Sequence, residues 1–134
     1  MGFNVEFNEK ETTVYCSDKM QYNEAFEVFK KEYSKIVKDD DIPISTIISI
    51  FENHDRKGFF GSVIIKKTIL ELDDTGDLVS IPTYSFILTN NILMNNEIDL
   101  LNLFKNFLDL IIKNFPHFLD EEKVKNDFES YFKK

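Results

Sequence analysis

The sequence predicts an α+β fold: an antiparallel sheet of about five strands, in the order β-β-α-β-β-β-α-α, with the helices packed on one face. Three observations predict it. Paired β-rich runs occur near the N-terminus and again between residues 62 and 89. Amphipathic helical patterns lie between and after those runs. The 134 residues, 43% hydrophobic and 30% charged, show no repeat or long linker, so 1–134 is read as a single domain.

Each element has its own signal. Phe3, Val5 and Phe7 alternate with polar residues, as a half-buried strand requires. Thr12 to Cys16 follows a polar stretch and reads as the hairpin partner. Asp18 and Gln21 stand at capping-box spacing and open a helix to about Val37. Its core face is Tyr22, Ala25, Phe26, Phe29, Tyr33, Ile36 and Val37, and Asp39, Asp40, Asp41 and Pro43 end it.

Ile44 to Phe51 is too short to declare a period, but its Ile and Thr content favours a strand. Glu52 to Lys57, followed by Gly58-Phe59-Phe60-Gly61, then reads as a turn. Ser62 to Leu72 and Leu78 to Thr89 are strands joined by Asp73-Asp74-Thr75-Gly76-Asp77, a glycine-containing acidic hairpin loop. Pro82 belongs at an edge or a bulge, because it donates no ladder hydrogen bond.

Asn96 is placed to cap a helix from Glu97 to about Phe115. Polar residues form only a narrow stripe on that helix, so it needs cover on two sides, from the last helix or from another subunit. Pro116 breaks the chain. The final helix, from about Asp120 to Tyr131, offers Val124, Phe128, Tyr131 and Phe132 as one face.

Composition narrows the functional classes. The net charge is −8, and each third of the chain is acidic: 6 bases against 10 acids over 1–41, 4 against 6 over 42–90, and 6 against 8 over 91–134. No segment supplies the basic stripe that phosphate backbones demand, so direct nucleic-acid binding is disfavoured. Cys16 is the only cysteine, which excludes an intramolecular disulfide. The N-terminal residues lack a secretory pattern, Glu6 stands where a myristoylation motif wants a hydroxyl, and no apolar run approaches a membrane span. A cytoplasmic protein is expected. With 15 Lys to one Arg, beside 15 Ile, 14 Phe and 12 Asn, the chain draws on AT-rich codons, pointing to a low-GC bacterium or a mobile element.

Chemistry-bearing residues are sparse. His54 lies in Glu52-Asn53-His54-Asp55-Arg56-Lys57, where acid–base work with Glu52 or Asp55 competes with an ordinary charged turn. His117 follows Pro116 and reads as a turn residue. Two distant histidines and one cysteine give no metal spacing, and neither acidic loop matches an EF-hand. Cys16 beside a helix start has a route to a low pKa, but a cysteine in an apolar strand is more often a core residue. Gly58 to Gly61 lacks the lysine and hydroxyl of a phosphate loop. No catalytic residue, metal or cofactor is therefore expected, and the chain is read as a non-enzyme.

The expectation drawn from this is a small acidic inhibitor of the immunity or anti-defence type, which occludes a basic surface of a protein partner. Its contact residues would be Asp39, Asp40, Asp41, Glu52, Asp55, Phe59, Phe60, Asp73, Asp74 and Asp77. Two alternatives stand beside it: a chaperone or adaptor for a secreted protein, forming a homodimer through the Glu97–Phe115 helix, and a small-molecule-binding domain.

Overall fold

A computed structural model describes residues 3–36 and 44–132. The elements are β1 (Phe3–Phe7), β2 (Glu11–Cys16), α1 (Tyr22–Ile36), β3 (Ile44–Asn53), β4 (Gly58–Leu72), β5 (Leu78–Asn90), α2 (Glu97–Asn114) and α3 (Glu121–Phe132). The fold is α+β, in the predicted order of strands and helices. The ambiguous run from Ile44 is a strand, paired along its length with β4.

The five strands form one sheet in the order β1-β2-β5-β4-β3. It is mixed, which corrects the expectation of an antiparallel sheet: β2 and β5 run parallel, and the other three pairs are antiparallel. The reason is topological. The β1–β2 hairpin attaches to the β3–β4–β5 meander through β5, and α1 carries the chain from β2 to the opposite edge. Strand residues alternate in the same way whichever direction their neighbour runs, so that pairing leaves no trace in the pattern.

Capping chemistry sets the helix ends. Before α1, the Ser17 and Asp18 amides donate to Gln21 Oε1 at 2.9 and 3.2 Å, and the Met20 amide donates to Asp18 Oδ1. Asn96 caps α2 by accepting the Ile98 amide at 2.7 Å. Asp120 accepts the Lys123 amide at the start of α3. Helix α1 is described to Ile36; Val37, Asp39 to Asp41 and Pro43 lie outside the described residues.

All three helices lie on one face. Val14, Cys16, Val63, Ile65, Phe86 and Leu88 point toward them and are fully buried. Much of the phenylalanine content packs here. Phe29 on α1 is ringed by Tyr33, Phe86, Phe107, Phe115 and Phe118, with centroids 5.2–6.2 Å away in edge-on geometries. Cover for α2 comes from within the chain. Leu100, Leu101, Leu103, Phe104, Phe107, Leu108 and Ile111 are buried against the sheet, α1 and α3. The apolar girth of this helix therefore calls for no second subunit.

Helix α3 guards the β3 edge. Lys123 Nζ donates to Thr46 O at 3.2 Å, and the Tyr131 hydroxyl donates to Ile48 O at 3.0 Å. These side chains occupy carbonyls that a further strand would otherwise use. The four residues read as a loop, Gly58 to Gly61, belong instead to β4. Gly61 crosses β3 so closely that a Cβ there would sit 2.2 Å from Ser49 O.

Candidate interaction site

Strands β4 and β5 are longer than the sheet they help to build. The β3–β4 register begins at Ile44↔Lys67, and the β2–β5 register begins at Glu11↔Ser85. Beyond those pairs, β4 and β5 continue together from Thr68↔Pro82 to Leu72↔Leu78, with no lateral neighbour among the described residues. A register shift between Lys67 and Thr68 marks the junction, with Pro82 beside it. Among the described residues the result is a two-stranded arm.

The arm is apolar where it meets solvent. Leu70, Leu72 and Leu78 are 67%, 68% and 67% exposed, and Val79 and Ile81 are each 36% exposed. An acidic turn closes it. Asp73 Oδ1 accepts the Thr75 and Asp77 amides at 2.9 Å each and the Thr75 hydroxyl at 2.7 Å. The Thr75 hydroxyl is the main reason that the Asp73 carboxyl lies below the ordinary carboxylate value. Gly76 completes the turn at φ 87°, a conformation that suits glycine. Asp73 is thus committed to the turn, and Asp77 shares the Thr75 hydroxyl at 3.1 Å. Asp74 enters no hydrogen bond or ion pair among the described residues.

The other anticipated contact residues sit elsewhere. Glu52, expected in a turn, belongs to the end of β3, and Asp55 lies in the β3–β4 turn; both are at the opposite end of β4 from Asp73, Asp74 and Asp77. Fifteen strand residues separate the two turns, a span of roughly 45–50 Å. One compact partner site cannot engage both turns together. Phe59 is half-buried and packs against the core, where its backbone bridges Met94 in both directions at 2.7 and 2.9 Å. Phe60 points to the opposite face and stacks on Phe51, with centroids 5.4 Å apart. Asp39, Asp40 and Asp41 lie outside the described residues.

No acid–base site assembles at His54. Its side chain is 83% exposed, and its partner is Glu52, with Nδ1 3.5 Å from Oε2. His117 occupies the interhelical turn at φ 71°. Among the described residues no group of His, Cys, Asp and Glu is arranged to hold a metal ion. Cys16 is fully buried, and burial pushes its thiol up to about 12, with Glu24 adding to the effect. A thiol so placed stays protonated and inert near neutrality.

Sequence reasoning missed a buried polar cluster between α1 and the base of the arm. Lys67 is 3% exposed and donates from Nζ to Ile36 O at 2.8 Å, capping the C-terminus of α1. The Tyr84 hydroxyl shares a 2.5 Å hydrogen bond with Thr12 and donates to Glu32 Oε2 at 3.4 Å. Glu32 pairs with Lys35 at 2.7 Å. The signal was present: Lys67 continues the inward set Val63 and Ile65, and Glu32 lies between Phe29 and Ile36 on the buried face of α1. These groups satisfy one another, so the cluster secures the helix end and the root of the arm.

No helix among the described residues is long and apolar enough to cross a membrane. Comparison with protein-family models, with curated proteins and with solved structures finds no match.

Proposed function

We propose that this chain is a protein-binding module whose contact element is the β4–β5 arm, and that it acts by occluding a partner rather than by chemistry. One observation carries the reading. The arm presents Leu70, Leu72 and Leu78, each about two-thirds exposed, on a ribbon without lateral support among the described residues. A two-stranded ribbon is marginally stable alone in water, and clustered exposed apolar side chains mark interaction sites. The occupant it fits is a protein cleft with apolar walls and basic groups where the tip arrives. The acidic tip and the net charge of −8 supply the complementary field. Occlusion of a basic active site, as an inhibitor of the immunity or anti-defence type would achieve, is the specific form this reading takes.

The test is affinity capture from host lysate with the intact chain and with a Leu70→Ser, Leu72→Ser, Leu78→Ser variant, followed by binding measurements on the captured protein. A stoichiometric basic partner should bind the intact chain, and the variant should lose at least about a hundredfold in affinity. Its melting temperature should be unchanged, because these residues lie outside the core. Equal affinity of the two chains for the captured partner overturns the arm as the contact element. Asp74→Lys should slow association at low salt and leave the turn intact. Reversing Asp73 would confound charge with loss of the turn.

A further inference from the structure

We infer that the sheet face opposite the helices is the contact surface for a second copy of this chain, the two sheets packing face to face about a two-fold axis that runs close to β5. This rests on residues separate from the arm.

The open face is built in rows across the strands. The middle row is Ile47–Ile64–Ile87–Thr13–Glu6, each a register partner of the next. On one side lies the row Ser49–Ser62–Thr89–Tyr15–Asn4, and beyond it the stacked pair Phe51 and Phe60. On the other side lies Ser45–Lys66–Ser85–Glu11. Among the described residues no helix covers this face. Ile47, Phe51 and Phe60 are 39%, 54% and 41% exposed, and Ile64 and Ile87 are half-buried. Along these rows the charged residues are Glu6, Glu11 and Lys66. Glu6 already accepts from the Tyr15 hydroxyl at 3.3 Å.

Lys66 and Glu11 identify the occupant. They are the two register neighbours of Ser85, one on β4 and one on β2, and so lie at equal spacing on either side of β5. Neither forms an ion pair among the described residues. Rotation by a half turn about an axis along β5 exchanges β4 with β2. Lys66 of one copy then lies over Glu11 of the other, twice per dimer, while Ile87 meets Ile87 at the axis. The Lys66–Glu11 and Ile87–Ile87 contacts are complementary under this rotation, as a two-fold interface requires, and Glu6 falls over Ile47 at the rim. Tilting the axis slightly from the strand direction gives the roughly 30° crossing of aligned sheets.

The half turn lays β4 over β2 and β3 over β1, so the covered length is that of β2 and β1, six and five register pairs. At about 3.3 Å per residue and 4.8 Å between strands, the shared face covers roughly 450 Å² per copy. Two copies would bury about 900 Å², the size of a weak, concentration-dependent interface.

The experiment is sedimentation equilibrium of the whole chain from low to high micromolar concentration, with circular dichroism of each variant. The expected mass rises to twice the chain's 15.8 kDa. Ile87→Lys should hold the chain at the monomer mass, because it sets two ammonium groups against each other at the axis. Lys66→Glu and Glu11→Lys should each weaken self-association by about tenfold, and the double exchange should restore it. A monomer at every concentration overturns the inference. So does a dimer that tolerates Ile87→Lys, or one lost instead in Leu70→Ser, Leu72→Ser, Leu78→Ser, which would assign self-association to the arm. Should Ile87→Lys misfold, the Lys66 and Glu11 exchange decides, since both are half-buried and lie outside the core: a double exchange without recovery refutes the proposed register.

Discussion

The same two strands, β4 and β5, behave in opposite ways at their two ends. Between Gly61 and Lys67 they are flanked by β3 and β2 and covered by α2, and the inward side chains Val63, Ile65, Phe86 and Leu88 are fully buried. Between Thr68 and Pro82 the ladder continues without flanking strands among the described residues, and Leu70, Leu72 and Leu78 are exposed. Composition does not separate the two ends, since both are rich in Ile, Leu and Val. Strand pairing satisfies the backbone but buries little; the helical layer turns an aliphatic strand into core. Where the layer stops, the same residues become a contact surface.

Truncating one side chain at each end tests this difference most directly. Phe86→Ala removes a ring stacked on Phe107 and edge-on to Phe29, and should cost about 3–5 kcal/mol of unfolding free energy. Leu72→Ala should stay within about 0.5 kcal/mol. Urea denaturation of both variants measures the difference, and comparable losses would mean that the arm is packed in solution.

Two glycines sharpen the same contrast. Gly61→Ala drives a Cβ against the Ser49 carbonyl in the covered region and should cost about 1–3 kcal/mol globally. Gly76→Ala meets nothing within 4 Å, but it sits at φ 87°, a conformational strain of about 1 kcal/mol confined to the tip. Amide exchange should therefore accelerate across the sheet in the first variant and only in the arm in the second.

Cys16 reports on the covered end. Its folded pKa is raised from 9.0 to about 12, so the native state retains the proton longer than the unfolded chain. Its contribution to stability is fully present below pH 9 and is lost as pH rises from about 9 toward 12. Thiol labelling at pH 8 should proceed at the global unfolding rate; rapid labelling of folded protein would contradict the burial.

The smallest effect is at the tip. The folded pKa of Asp73 is depressed, so its contribution is present above the ordinary 3.8 and is lost as pH falls through the folded value. A carboxyl titration followed by NMR should place its midpoint below 3.8, and Thr75→Ala should move it upward.

Legibility in the sequence followed the range of the interaction. Asp18 with Gln21, Asn96 before Ile98 and the loop around Gly76 act within a few residues, and their chemistry located the helix starts and the arm's turn. Alternation identified the strands, and the sequence placed Asp73, Asp74 and Asp77 on a hairpin loop. It did not show that the loop ends an arm, because that depends on how far β4 and β5 pair with each other beyond the described extent of their neighbours. Glu52 and Asp55 were grouped with that loop on charge alone, although the length of β4 carries them to the other end of the molecule.

The sequence by itself determined the kinds of elements, their order and the acidic charge, because propensity, periodicity and capping are local properties of the chain. The tertiary structure alone decided that β2 runs parallel to β5, that Lys67 reaches the C-terminus of α1, and that one sheet face and the arm carry exposed apolar side chains. These depend on which distant segments meet, and a strand's alternation is the same against a helix, a second sheet or water.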